Sequence, residues 1–129
     1  MKKSGKMIVI IGLVLISVLL GSFAQVFLRK GMLEIGEIGL KEILSKKVFG
    51  IIFQKHVFLG IVLFTINTFV WLILLSKKEA ELSFVFPLLS LGYIVTAILA
   101  KIFFNEELTL FRISGIILIV LGASLIIKT

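Results

Sequence analysis

Long apolar runs alternate with short polar breaks along this chain. The runs over residues 7–28, 57–76, 82–104 and 110–127 each hold about 20 residues, enough for a helix to cross ~30 Å of hydrocarbon. Each run is apolar all round rather than striped, as suits a helix facing both lipid and other helices. The pattern predicts an all-α integral membrane protein. Its four transmembrane helices would form one bundle, a single domain over residues 1–129.

The connection over residues 29–56 is longer than the other two. Within it Leu40, Ile43, Leu44, Val48, Ile51 and Ile52 recur at helical spacing, with Lys41, Glu42, Ser45 and Lys46 between them. This predicts a short helix at about residues 40–53, lying in the membrane interface with its apolar side down. Residues 77–81 and 105–109 read as tight turns, which make consecutive spans antiparallel neighbours. Pro87 falls in the first turn or two of the third span, where a missing N–H does least harm; it marks either a helix start or a slight bend. The Lys2-Lys3-Ser4-Gly5-Lys6 head and the Ser22-Phe23-Ala24 triplet imitate a signal peptide and its cleavage site. The first run is longer than a usual signal core, however, and its removal would leave an odd number of spans. It is expected to remain as a span.

Composition supports the membrane reading. Hydrophobic residues make up 60% of the 129, too many for the interior of a soluble unit this small. The net charge of +7 comes from Lys and Arg between spans, where they snorkel toward water and anionic headgroups. They are expected to meet membrane lipids, not nucleic acid. Orientation is close to balanced. Lys2, Lys3, Lys6, Lys77, Lys78 and Lys128 lie on the side of the termini, against Arg29, Lys30, Lys41, Lys46, Lys47, Lys55, Lys101 and Arg112 on the other.

What the spans lack is as telling. There is no Asp, and all seven Glu fall in connections or at span ends. Exchange of a proton for an organic cation needs a membrane-buried acid to hold either one. No such acid is present, which argues against that mechanism. The polar groups inside the spans are neutral: Ser17, Ser22 and Gln25, then Thr65, Asn67 and Thr68, then Ser90, Tyr93 and Thr96, then Ser114. Gln25 and Asn67 are the costliest, since an amide in hydrocarbon must find partners. Either they bond to each other or to nearby backbone and pin helices together, or they line a substrate groove. Ser17 and Gly21 form a small-xxx-small pair; Gly92, Thr96 and Ala100 form a stripe, and Gly115 and Gly122 share a face. These stripes favour close packing and self-association, because four helices enclose little more than half a cavity.

Cations gather where the spans end on one side. Arg29 and Lys30 close the first span, Lys101 lies about one turn inside the third, and Arg112 opens the fourth, with Glu106 and Glu107 on the same face. They are either snorkelling anchors with local ion pairs or a basic vestibule for a phosphate headgroup, with Lys30 and Lys101 the leading contacts. His56 and Trp71 read as interfacial and packing residues. With one His, no Cys, no Asp, no phosphate-cradling loop and no metal-ligand spacing, neither an enzyme nor a cofactor or metal site is expected.

The segment ELSFVFPLLSLGYIVTAILA (81–100), the following FFNEELTLFRISGIILIVLGASLI, and AQVFLRKGM (24–32) resemble the drug/metabolite transporter superfamily in its EamA-like branch. Its four-span members include the small multidrug resistance proteins, antiparallel dimers that rely on a glutamate in the first helix. This chain has Leu20, Gly21, Ser22 and Phe23 there. PLLSLGYIV, with Gln25 and Arg29-Lys30, is similar instead to the small subunits of the 4-amino-4-deoxy-L-arabinose–phosphoundecaprenol flippase. That resemblance implies a homodimer or heterodimer in the cytoplasmic membrane that moves a polyprenyl-phosphate-linked sugar. The headgroup would meet Lys30, Lys101, Arg29 and Arg112, and the sugar Gln25, Asn67, Ser90 and Tyr93. Gly21, Gly92, Gly115 and Gly122 would serve packing or dimerisation. Export of small metabolites or cationic drugs, and a non-transporting partner subunit, are the alternatives.

Overall fold

A computed structural model describes residues 2–128 of the chain. The side chains of Lys2, Lys3 and Ser4, part of the basic head, lie outside what it describes. Seven helices follow in order: α1 Lys2–Ile35, α2 Leu40–Ile43, α3 Lys47–Ile52, α4 Lys55–Leu75, α5 Leu82–Leu88, α6 Leu91–Phe104 and α7 Leu110–Ile127. Among the described residues, four segments are long and apolar enough to cross a membrane: Gly5–Ile35, Lys55–Leu75, Leu82–Phe104 and Leu110–Ile127. The all-α, four-span architecture is thus present.

Three details differ from the pattern-based expectation. First, α1 does not stop where its apolar run stops at Leu28; it continues through Arg29 and Lys30 to Ile35. Backbone hydrogen bonding is indifferent to side-chain polarity, so the helix ends where Gly36 takes a positive φ of 97° and its N–H bonds Met32 C=O at 2.9 Å. Second, the connecting segment folds as two short helices, α2 and α3, rather than one. Glu42 helps to define the first by accepting the Gly39 N–H at 2.8 Å, a bond that lowers its carboxyl pKa.

Third, the third span is broken into α5 and α6. Pro87 has no N–H to donate, and the chain after it tightens into i→i−3 bonds: Leu89 to Phe86 at 3.1 Å, Ser90 to Pro87 at 3.0 Å and Tyr93 to Ser90 at 2.9 Å. Proline therefore does more here than mark a helix start. It interrupts the span near Leu89 and Ser90.

α1 is the central helix. It packs along α4 on one flank and α6 on the other, while α7 leans mainly on α5 and α6. Two glycines let α1 and α4 approach closely. A Cβ on Gly31 would collide with Val57 Cγ2 and fall 2.7 Å from Val57 N, and one on Gly60 would fall 2.8 Å from Leu28 Cγ. At the same crossing Gln54 Oε1 caps α4, accepting the N–H groups of His56 and Val57 at 2.8 and 2.9 Å. His56 stacks on Phe27 and stands 3.4 Å from Glu34.

The apolar core occupies the half of the bundle nearest the α4–α5 turn. Ile10, Val14 and Val18 of α1 meet Leu74, Ala80, Val85, Leu88 and Ala123 there, with Trp71 packed against them and edge-on to Phe86. Lys6 and Glu79 close that end with a 3.1 Å ion pair. The Glu79 carboxyl is held below its ordinary pKa, first by its own backbone N–H and then by Lys6. This exposed contact is present above that lowered value and is lost as pH falls through it.

The α1–α4 crossing yields a direct test. Gly31→Ala should lower stability by about 1–3 kcal/mol, because its Cβ meets backbone as well as a side chain. Gly122→Ala, where the space is open, should shift it by less than about 0.5 kcal/mol. Denaturant unfolding in detergent would compare them; equal effects would show that the two helices do not cross at Gly31.

Candidate functional site

Further along α1, small and polar residues join the buried positions. Ser17 and Ser22 are buried on α1, and Gly92 on α6 brings that helix close: a Cβ there would touch Val18 Cγ1 at 3.6 Å and Ser22 Oγ at 3.8 Å. Small residues shorten the helix separation but leave a gap beside them. Ser17, Val18, Gly21, Ser22 and Gln25 line that gap from α1, Asn67 from α4, and Gly92, Tyr93 and Thr96 from α6, around a cavity of about 200 Å³.

Hydrogen bonds in the wall run between side chains of different helices. Ser17 Oγ donates to Asn67 Oδ1 at 2.7 Å, tying α1 to α4. Thr96 Oγ1 donates to Ser22 Oγ at 3.1 Å, and Ser22 Oγ donates to the Gly92 carbonyl at 3.4 Å, tying α1 to α6. Asn67 therefore pins helices through Ser17 rather than through Gln25. Gln25 makes no hydrogen bond to another described residue and stays exposed in the groove, with its amide free to bind a solute. Other span hydroxyls are spent locally: Thr65, Thr68, Ser114 and Ser124 each donate to the carbonyl four residues back.

The groove continues toward the end of α1. Gln25 and Thr96 also line a second cavity of about 190 Å³, with Val26, Arg29, Ala100, Phe104 and Glu106. Its mouth carries an ion pair, Arg29 Nη2 to Glu106 Oε1 at 3.6 Å. Asn105 places the carboxylate there. It ends α6 in the left-handed region at φ 53°, and the Glu106 N–H then reaches back to the Ala100 carbonyl at 3.4 Å. Arg112 lines a neighbouring cavity of about 320 Å³ that shares Glu106, and its guanidinium donates to the Glu107 carbonyl at 2.9 Å.

Of the sequence-derived candidates, the groove brings together Gln25, Asn67, Tyr93 and Arg29, with Gly21 and Gly92 providing room. Ser90 lies at the break before α6 and does not line it. Lys30 and Lys101 are exposed and line none of these cavities, since each stands about 100° around its helix from a lining neighbour, Arg29 or Ala100. Gly115 and Gly122 sit on α7 with open space around them. Sequence reasoning placed Glu106 on the same face as Arg29, with local ion pairs as one reading, but did not count it among the site residues; the fold sets it 3.6 Å from Arg29. Thr96 was visible as the middle of the Gly92–Ala100 stripe. Two larger cavities, about 490 and 330 Å³, open at the opposite end around Glu79.

Four spans around a laterally open polar groove define a multi-pass membrane protein. The chain is 34% identical to the "Probable 4-amino-4-deoxy-L-arabinose-phosphoundecaprenol flippase subunit ArnF" of Proteus mirabilis (strain HI4320), over a 119-residue alignment covering 85% of each protein. The chain belongs to this family of flippase subunits. No protein-family profile matches it, and no solved structure matches it.

The Ser17–Asn67 bond should be measurable by a double-mutant cycle. Ser17→Ala and Asn67→Ala together should reveal a coupling of about 0.6–1.7 kcal/mol in unfolding free energy. Strict additivity would remove the α1–α4 tie.

Proposed function

We propose that this chain is one subunit of a flippase that carries a polyprenyl-phosphate-linked sugar across the cytoplasmic membrane, within the EamA-like branch of the drug/metabolite transporter superfamily. The observation that carries this reading is the groove itself. Its inner part offers hydroxyls and amides without a carboxylate, and its mouth offers the Arg29 guanidinium, paired with Glu106. A sugar needs the first and a phosphate the second. The relative named for this activity supports the same reading.

In the proposed cycle the phosphate is drawn to Arg29, with Lys30, Lys101 and Arg112 as outer cations that steer the headgroup. The sugar passes along Gln25, Asn67 and Tyr93, while the polyprenyl tail stays in lipid beside the open groove. Ser90 at the Pro87 break lets α6 tilt relative to α5, which alternates access. A second four-helix subunit, identical or similar, closes the open side of the groove, with Gly115 and Gly122 of α7 available for that contact. No resident cofactor enters the cycle.

Reconstituted vesicles test the proposal. The Lys30→Gln/Lys101→Gln double variant and Arg29→Gln should each cut lipid-sugar transfer at least about tenfold, the loss of one charge-assisted contact, while insertion and assembly persist. Normal transfer by both variants would reject the cationic vestibule. Proton-driven uptake of a lipophilic cation would instead support drug export.

A further inference from the structure

The mouth of the groove is a pair of opposite charges, not a simple cationic rim. Arg29 comes from the end of α1 and Glu106 from the turn after α6, and the two meet at 3.6 Å across the cavity that continues into the neutral groove. Both are partly open to solvent, at 57% and 38% side-chain exposure, so either can swing away without backbone movement. We infer that Arg29 and Glu106 form a subsite for a zwitterionic headgroup, in which Arg29 takes the phosphate and Glu106 takes an ammonium on the sugar. This deepens the flippase reading and rests on it.

The argument is one of charge exchange. In the empty site Arg29 and Glu106 neutralise each other. A headgroup with a phosphate and an amine on opposite sides of a sugar ring replaces both counter-ions at once. Arg29 exchanges a carboxylate for a phosphate, and Glu106 exchanges a guanidinium for an ammonium. A headgroup with the phosphate alone takes Arg29 but strands Glu106 beside the cavity, and that unpaired carboxylate opposes binding. Glu106 is paired with Arg29 and not with Arg112, whose guanidinium donates to the Glu107 carbonyl. Glu106 is therefore a specificity-determining residue, selecting cargo that carries an amine. The turn geometry fixes it there, since Asn105 in the left-handed conformation re-aims the chain toward α1.

The test uses the full chain in lipid nanodiscs with three probes: undecaprenyl phosphate bearing 4-amino-4-deoxy-L-arabinose, the same lipid N-acetylated on that amine, and bare undecaprenyl phosphate. The wild type should bind the free-amine lipid about tenfold more tightly than the N-acetylated one, the discrimination of one charge-assisted contact. Glu106→Gln should erase that preference and keep binding of bare undecaprenyl phosphate. Glu106→Asp should restore part of it, and Glu107→Gln should leave it unchanged. Equal wild-type affinity for the amine and N-acetyl lipids would overturn the zwitterion subsite and leave the flippase reading standing. Failure of the wild type to bind any of the three would overturn both. The wild-type comparison needs no variant, so a poorly folding Glu106→Gln protein does not blunt it.

Discussion

A hydroxyl or amide carried into hydrocarbon is costly unless it is bonded inside the protein, and this constraint organises the bundle around α1. Ser17 meets it through Asn67 on α4 and Ser22 through Thr96 and the Gly92 carbonyl on α6. Each tie costs little volume because serine, threonine and glycine are small. The polar half of α1 therefore holds its neighbours by hydrogen bonds while failing to fill the space between them. The apolar half does the opposite, with Ile10, Val14 and Val18 closing onto α5 and Leu74. One helix thus builds a packed core at one end and a groove at the other.

Charge is confined to the ends by the same physics. An uncompensated ion in the hydrocarbon is costly, so charged side chains stand toward the two rims, and one pair links helices at each: Lys6 with Glu79 at one end, Arg29 with Glu106 at the other. Exposed pairs like these add little to stability. Their importance lies in position. The Arg29–Glu106 pair sits over the cavity that leads into the groove, so anything entering from that interface must displace or bridge it.

The break in the third span connects these parts. Because Pro87 withholds an N–H, the third span is interrupted and α6 starts afresh at Leu91, with its Gly92 and Thr96 lying against Ser22 of α1. A continuous helix would have bound the core half and the groove half into one rigid rod. The loose seating of α7, where only Ala123 is buried, leaves one flank of the bundle uncovered.

The sequence by itself determined the number of spans, their order and the absence of an acid inside them. These follow from run length and residue type, since lipid imposes its thickness and its low polarity on every span independently. The fourth span, residues 110–127, was legible to its ends because Thr109 and Lys128 punctuate it. Tertiary structure alone decided the rest. That α1 overruns its apolar stretch, that Asn67 bonds Ser17 and leaves Gln25 open, and that Glu106 rather than Lys30 or Lys101 stands beside Arg29 all depend on angles between helices. Hydropathy carries no record of those angles, and a lysine one residue from a groove-lining position points about 100° away from it.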